Sequence, residues 1–248
     1  MLMVLHRYTQ LLLNAGIKVV VPTILDELPH DPRAFTQGLA YARGKLYEST
    51  GLNKESSIRQ IDSISGKVEN VRQLPGHFGE GLAVQGKRIV QLTFQSNIAF
   101  VYRLDDFSIV DEWPYDGEGW GLTATHNGFV MTNGGSELLF RNQCFDLVRT
   151  VKVRRKGMPL HWLNDLECAR GRLFVHRLGD RYLFEIDPSC GSILRLIDGA
   201  SLIRCAQPKG PVDVFNGIAY DPIGDIFFMT GKRWPVLFKV HIPVDQCE

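Results

Sequence analysis

Five short motifs, far apart in the chain, carry residue types suited to a ligand site. They are Phe35 and Gln37 in FTQGL, Phe78 and Glu80 in FGEGL, Trp120 in GWGL, Asn164 and Asp165 in LNDLE, and Phe215 and Asn216 in FNGIA. Carboxylate, carboxamide and aromatic groups gathered in one concave place would bind a small neutral or mixed ligand. The glycines and leucines of these motifs are accounted for by the turning and packing of a strand. Glu80 and Trp120 are not required by the repeat and stand out as functional.

What would gather them is a repeat. From Phe35 the chain reads FTQGLAYARGKLYESTG, and the same outline returns as FGEGLAVQGKRIVQLTF, GWGLTATHNGFVMTNG, LNDLECARGRLFVHRL and FNGIAYDPIGDIFFMTG. Each copy follows its motif with an apolar segment, a turn and a second apolar segment. Aligning Gly38, Gly81, Gly121, Leu166 and Gly217 gives spacings of 43, 40, 45 and 51 residues. Periods of that length, rich in strand formers, predict the blades of a β-propeller. The 248 residues divide into five blades of roughly 50 each, an all-β ring of four-stranded antiparallel blades.

Turn chemistry supports the meander. Hairpins are expected at Arg43–Gly44, Ser65–Gly66, Gln85–Gly86, Asp105–Asp106, Asn127–Gly128, Arg170–Gly171 and Cys190–Gly191. No helix-length amphipathic pattern interrupts them, so residues 17–248 are expected to form a single propeller domain. Residues 1–16 form an N-terminal extension whose first 14 residues are an added strand or short helix on the outside. Residues 17–25, IKVVVPTIL, are β-branched and read as a strand that Pro22 confines to an outer position. The fifth repeat lacks a fourth strand, and this N-terminal strand is expected to supply it and close the ring. In such a ring the innermost strands line a central channel. The loops entering those strands crowd one mouth, so the five motifs converge.

Composition narrows the partners. There are 28 basic and 27 acidic residues, a net charge of +1, which gives no electrostatic reason to expect nucleic acid or an anionic membrane. The N-terminal apolar stretch is broken by His6, Arg7, Gln10, Asn14 and Lys18 and is too short for a membrane span or a signal-peptide core. A cytoplasmic location and a monomer are the default expectations. The five cysteines, Cys144, Cys168, Cys190, Cys205 and Cys247, include no CxxC and read as free thiols, with one disulfide an alternative. The seven histidines show no metal-ligand spacing, and no HExxH occurs. Backbone carbonyls lining a propeller channel could still hold a structural cation that no side-chain motif would reveal.

The motifs FTQGL, YESTG, FGEGL, GWGL, LNDLE, FNGIAYD and MTGKRWPVLFKV, in this order, resemble those of the plant and bacterial glutamine cyclotransferases, a five-bladed propeller family. The resemblance spans about residues 17–241. It implies cyclisation of the N-terminal glutamine of a peptide or protein to pyroglutamate, with loss of ammonia. It also places the family's active-site set on Phe35, Gln37, Phe78, Glu80, Trp120, Asn164 and Lys232. Glu80 would take a proton from the attacking α-amine and return it to the leaving ammonia. Lys232, or the amides of Gln37 and Asn164, would hold the developing oxyanion, and Phe35, Phe78 and Trp120 would hold the side chain folded for attack. No cofactor is needed for that step.

Two departures fall in the expected pocket. Where the family has an Asn and then a Trp after LNDLE, this chain has His176 and Leu178, and in the second repeat Phe94 stands where a Trp is common. Loss of an indole removes a flat wall and an N–H donor, on the order of 1 to 3 kcal/mol of substrate positioning. Trp162, two residues before Asn164, is a candidate to refill the space, and His176 reads as a hydrogen-bonded strand histidine. These changes motivate an alternative, a propeller that binds a peptide N-terminus without turning it over. A calcium-dependent, lactonase-like hydrolase is a third reading, which chelator-sensitive turnover would support.

Overall fold

The computed structural model describes residues 2–210 and 212–244. Five four-stranded antiparallel units surround an axis. Blade 1 comprises Thr36–Ala42, Lys45–Thr50, Ser57–Asp62 and Val68–Gln73; blade 2, Gly79–Gln85, Arg88–Thr93, Ile98–Arg103 and Ile109–Pro114. Blade 3 comprises Leu122–Thr125, Gly128–Met131, Glu137–Arg141 and Leu147–Lys152; blade 4, Leu163–Ala169, Arg172–Arg177, Tyr182–Ile186 and Ile193–Asp198. Blade 5 is Phe215–Asp221, Ile226–Gly231 and Val236–His241, completed by Thr23–Pro29. The first strand of each blade touches the first strands of both neighbours, around to blade 1 again. The first three strands of each blade are mostly buried, and the outermost strands of blades 1 to 3 are largely exposed and carry charge.

The ring closes through the N-terminal segment, with a correction to its expected single strand. Residues 17–25 divide at Val21–Pro22. Lys18–Val20 adds in parallel to the outer strand of blade 4, while Thr23–Pro29 pairs antiparallel with Val236–His241 of blade 5. Proline cannot donate to a ladder, and here it marks the place where the chain leaves one sheet for the next. The N-terminal extension takes the helical of its two expected forms, and a second helix lies beyond what the pattern indicated. Helix α1 (Leu2–Asn14) buries Leu12 in the core that blades 3 and 4 share, and α2 (Ala200–Ala206) buries Leu202 and Ala206 in the core that blades 4 and 5 share. Seven residues are too few to print a helical period on the sequence.

Hairpins form at Arg43–Gly44 and Arg170–Gly171, each with φ between +52° and +76°. Those expected at Gln85–Gly86 and Asn127–Gly128 lie one residue away, at Gly86–Lys87 and His126–Asn127. Gly128 is instead the first residue of its strand, where a Cβ would lie 2.1 Å from the Arg141 carbonyl oxygen.

The repeated glycine has a physical cause. A Cβ on Gly38 would lie 2.6 Å from the Leu82 nitrogen, one on Gly81 2.5 Å from the Leu122 nitrogen, and one on Gly121 2.3 Å from the Asn164 carbonyl oxygen. Backbones of adjacent inner strands thus meet at the axis without room for a side chain. In blade 4 the equivalent residue is Asp165, not Leu166. Register sets Leu166 against Val175 as it sets Leu39 against Glu48 and Leu82 against Gln91. Asp165 instead reaches blade 5, where its carboxylate accepts the Ile218 amide at 3.0 Å. Among the described residues Cys144, Cys168, Cys190 and Cys205 are free thiols, and no helix is long and apolar enough to cross a membrane. Cys247 lies outside the described residues.

Candidate active site

The inner strands of blades 1, 2, 4 and 5 open with a register shift, between Thr36 and Gly38, Gly79 and Leu82, Leu163 and Leu166, and Phe215 and Ile218. Such a bulge re-aims a side chain that regular pleating would send elsewhere. It carries Gln37, Glu80, Asn164 and Asn216, and the first three line one cavity.

That cavity, of about 220 Å³, is lined by Phe35, Gln37, Phe78, Glu80, Phe94, Trp120, Asn164, Leu178 and Lys232. All seven residues named from the sequence are therefore brought together, with Phe94 and Leu178 among them. Three other motif residues do not line it. Asp165 bonds blade 5, Asn216 donates to the carbonyls of Thr36 and Gln37, and Phe215 stacks on Trp234 at 5.5 Å. Trp162 does not refill the cavity either; it leans on the Trp120 ring, 6.2 Å between centroids. His176 is buried edge-on against Phe215; its ring nitrogens make no side-chain hydrogen bond, and the polar group they face is the Gly217 backbone. Burial lowers its pKa to about 3, the ammonium of Lys232 pushes in the same direction, and the Gly217 backbone opposes both.

Glu80 is 5% exposed, and its Oε1 accepts a hydrogen bond from Gln37 Nε2 at 3.0 Å. Burial raises its pKa well above the ordinary carboxylate value; Lys232 opposes that shift, while Asp165 and Glu118 reinforce it. Lys232 is 6% exposed, and burial pulls its pKa down against the attraction of Glu80. Its Nζ lies 4.7 Å from the centre of the Phe35 ring. Backbone bonds fix its place: its amide donates to Val214 and its carbonyl accepts from Asp213. Next to it Gly231 makes room for the Trp234 indole, which a Cβ would meet at 2.3 Å.

Two acceptors lack partners: Gln37 Oε1 and Asn164 Oδ1, both buried on cavity-lining side chains. A buried acceptor left unpaired costs about 1 to 3 kcal/mol, which a ligand N–H would recover. Among the described residues no group of three or more His, Cys, Asp or Glu side chains is arranged as metal ligands.

The aromatic wall is continuous. Phe35 meets Phe78 at 6.4 Å, Phe78 meets Phe94 at 5.8 Å, and Phe94 meets Trp120 at 6.3 Å. The Trp120 indole lies over Gly134, and its Nε1 donates to Glu118 Oε2 at 3.1 Å. Glu118 escaped the sequence reading. Its one signal is its place two residues ahead of Trp120, as Phe35 stands to Gln37.

Comparison with known proteins bears on this geometry. A family model described as glutamine cyclotransferase matches residues 2–242. The chain belongs to the glutamine cyclotransferase family. It is 36% identical over 226 residues to a glutaminyl-peptide cyclotransferase of Arabidopsis thaliana, covering 88% of this chain and 70% of that one. The crystal structure of glutaminyl cyclase from Myxococcus xanthus superposes with a TM-score of 0.86 at 36% identity, covering 93% of this chain and all of that one. The WD40 β-propeller domain of Doa1, 9% identical with a TM-score of 0.50 over 82% of this chain and 62% of that one, shares the propeller fold alone. Within the glutamine cyclotransferase family, then, this member walls its cavity with Phe94 and Leu178.

Proposed function

We propose that this cavity cyclises the N-terminal glutamine of a peptide to pyroglutamate with release of ammonia, and that Glu80 carries the proton. One observation carries the assignment of roles: a buried carboxyl, held by Gln37, faces an aromatic-walled cavity that it shares with a buried lysine.

Burial favours the neutral carboxyl of Glu80 in the empty site, and a substrate α-ammonium supplies the charge that favours its carboxylate. After the α-ammonium has given one proton to solvent and become the free amine, the carboxylate takes a second proton from the α-nitrogen as it attacks. That nitrogen forms a bond to the side-chain carbonyl carbon, and the carbonyl π pair moves to oxygen. The ammonium of Lys232, held against Phe35, is the donor placed for the oxyanion. Gln37 gives one of its two N–H groups to Glu80, and that bond orients the carboxyl. Its free oxygen and that of Asn164 accept from substrate N–H groups. As the carbonyl re-forms, the carbon–nitrogen bond of the carboxamide breaks, and Glu80 returns the proton to the departing ammonia. The ring walls hold the flexible side chain near its attacking geometry. The reaction as proposed needs no metal or cofactor.

The test is ammonia release from a Gln-initiated dipeptide amide. Wild type is expected to release one ammonia per pyroglutamyl product, and Glu80→Gln to lower kcat by about 10² to 10⁴. Tight dipeptide binding without turnover by wild type would replace this reading with the non-catalytic one.

A further inference from the structure

The proposed reaction uses the glutamine residue alone, yet the structure also builds a surface beside the cavity. In blades 1, 2 and 4 the same backbone bond recurs: the amides of Gly51, Phe94 and Leu178 donate to the carbonyls of Phe35, Phe78 and Trp162, at 2.8 to 2.9 Å. Trp162 is thus the blade-4 counterpart of two residues whose rings line the cavity. Its ring does not line it. Its φ is +69°, a left-handed conformation that a bulky residue rarely adopts, whereas Phe35 and Phe78 have negative φ.

Trp162 is held in that conformation from both sides. Its amide donates to the Gly134 carbonyl at 2.9 Å, and its carbonyl accepts the Leu178 amide. Arg177 Nε donates to the His161 carbonyl at 3.1 Å, and Arg177 is itself paired with Asp180, to which Thr9 of α1 also donates. Backbone strain that the surroundings over-determine in this way points to a purpose for the side chain. The ring leaves the cavity and joins Trp120 at a tilt of 46°, giving two half-exposed indoles beside the mouth. A cavity of about 220 Å³ with its catalytic carboxyl at the wall has room for the first residue only. The second residue of a bound peptide must lie outside it.

We propose that Trp162, with Trp120, forms the subsite for the residue after the N-terminal glutamine and selects peptides in which that residue is aromatic. This rests on the cyclotransferase reading of the cavity. Aromatic side chains stack on a tilted indole pair, with no burial of charge, whereas glycine at that position makes no contact with it.

The experiment compares kcat/KM for Gln-Phe amide and Gln-Gly amide. Wild type is expected to favour Gln-Phe amide by roughly tenfold, mostly through KM. Trp162→Ala should bring the ratio to near unity, and Trp162→Phe should restore most of it, which a merely structural role of the indole would not do. Wild-type turnover of both amides at equal kcat/KM, or an unchanged ratio in Trp162→Ala, overturns the subsite and leaves the cyclotransferase reading standing. Turnover of neither amide by wild type overturns both.

Discussion

At the residue scale, burial sets the behaviour of the acids in the channel. Asp165 sits where other blades carry glycine, wholly buried, with one oxygen on the Ile218 amide and the other unpaired. Burial raises its pKa well above the ordinary carboxylate value, against the pull of backbone amides and Lys232. The folded state therefore keeps a proton that the unfolded chain has lost, so the charge costs stability as pH rises above the ordinary carboxylate value. Asp165→Asn keeps an acceptor for Ile218 and removes that cost. Its melting temperature should exceed that of wild type at pH 8, with the gap closing toward pH 4, as followed by thermal denaturation across pH. Glu80 is subject to the same penalty but cannot be relieved of it without losing the proton carrier. That expectation separates the two acids: the amide at position 165 stabilises, and the amide at position 80 inactivates.

At the scale of elements, the seam of the ring is an ion pair. His30 follows the closing strand directly; its Nδ1 donates to the Trp234 carbonyl at 2.7 Å and its Nε2 to Glu48 at 2.9 Å. Two donor nitrogens mean an imidazolium. Burial alone would lower its pKa, but the Glu48 carboxylate outweighs burial and raises it; burial would likewise raise the pKa of Glu48, and His30 holds it low. The pair is fully formed between the ordinary carboxylate and imidazole values. Its contribution is lost as pH falls through the depressed Glu48 value or rises through the elevated His30 value. His30→Met strands a buried carboxylate and should cost about 3 to 5 kcal/mol in urea denaturation at pH 6. Trp234 is two residues from Lys232, so the same variant should also lower cyclisation activity.

For the whole molecule, the repeat was legible because sterics at the axis exclude a side chain at Gly38, Gly81 and Gly121. Gly81→Ala places a methyl group 2.5 Å from the Leu122 nitrogen, and it should destabilise by about 1 to 3 kcal/mol or more in the same denaturation. Glu80 and Trp120 stood out since no packing rule asked for them. The site could be gathered from strand order alone, because every entering loop reaches one mouth. Lys232 could not: it lies in the turn after a second strand, where no motif precedes it, and only family resemblance found it. The one-residue slip at Asp165 came from aligning on leucine when the axis selects by size. Helix α2 and the divided N-terminal segment left no periodic trace, each being shorter than the window in which a period shows.

The divided segment has a mechanical consequence. Residues 18–29 are shared by two neighbouring sheets, so the N-terminus works as a stitch across the joint instead of a flap on one side of it. Peeling it away would unfasten blades 4 and 5 together. The wall beneath Trp162 and the loop that carries Lys232 belong to those two blades, so the ring is expected to lose its chemistry at the moment it comes unstitched.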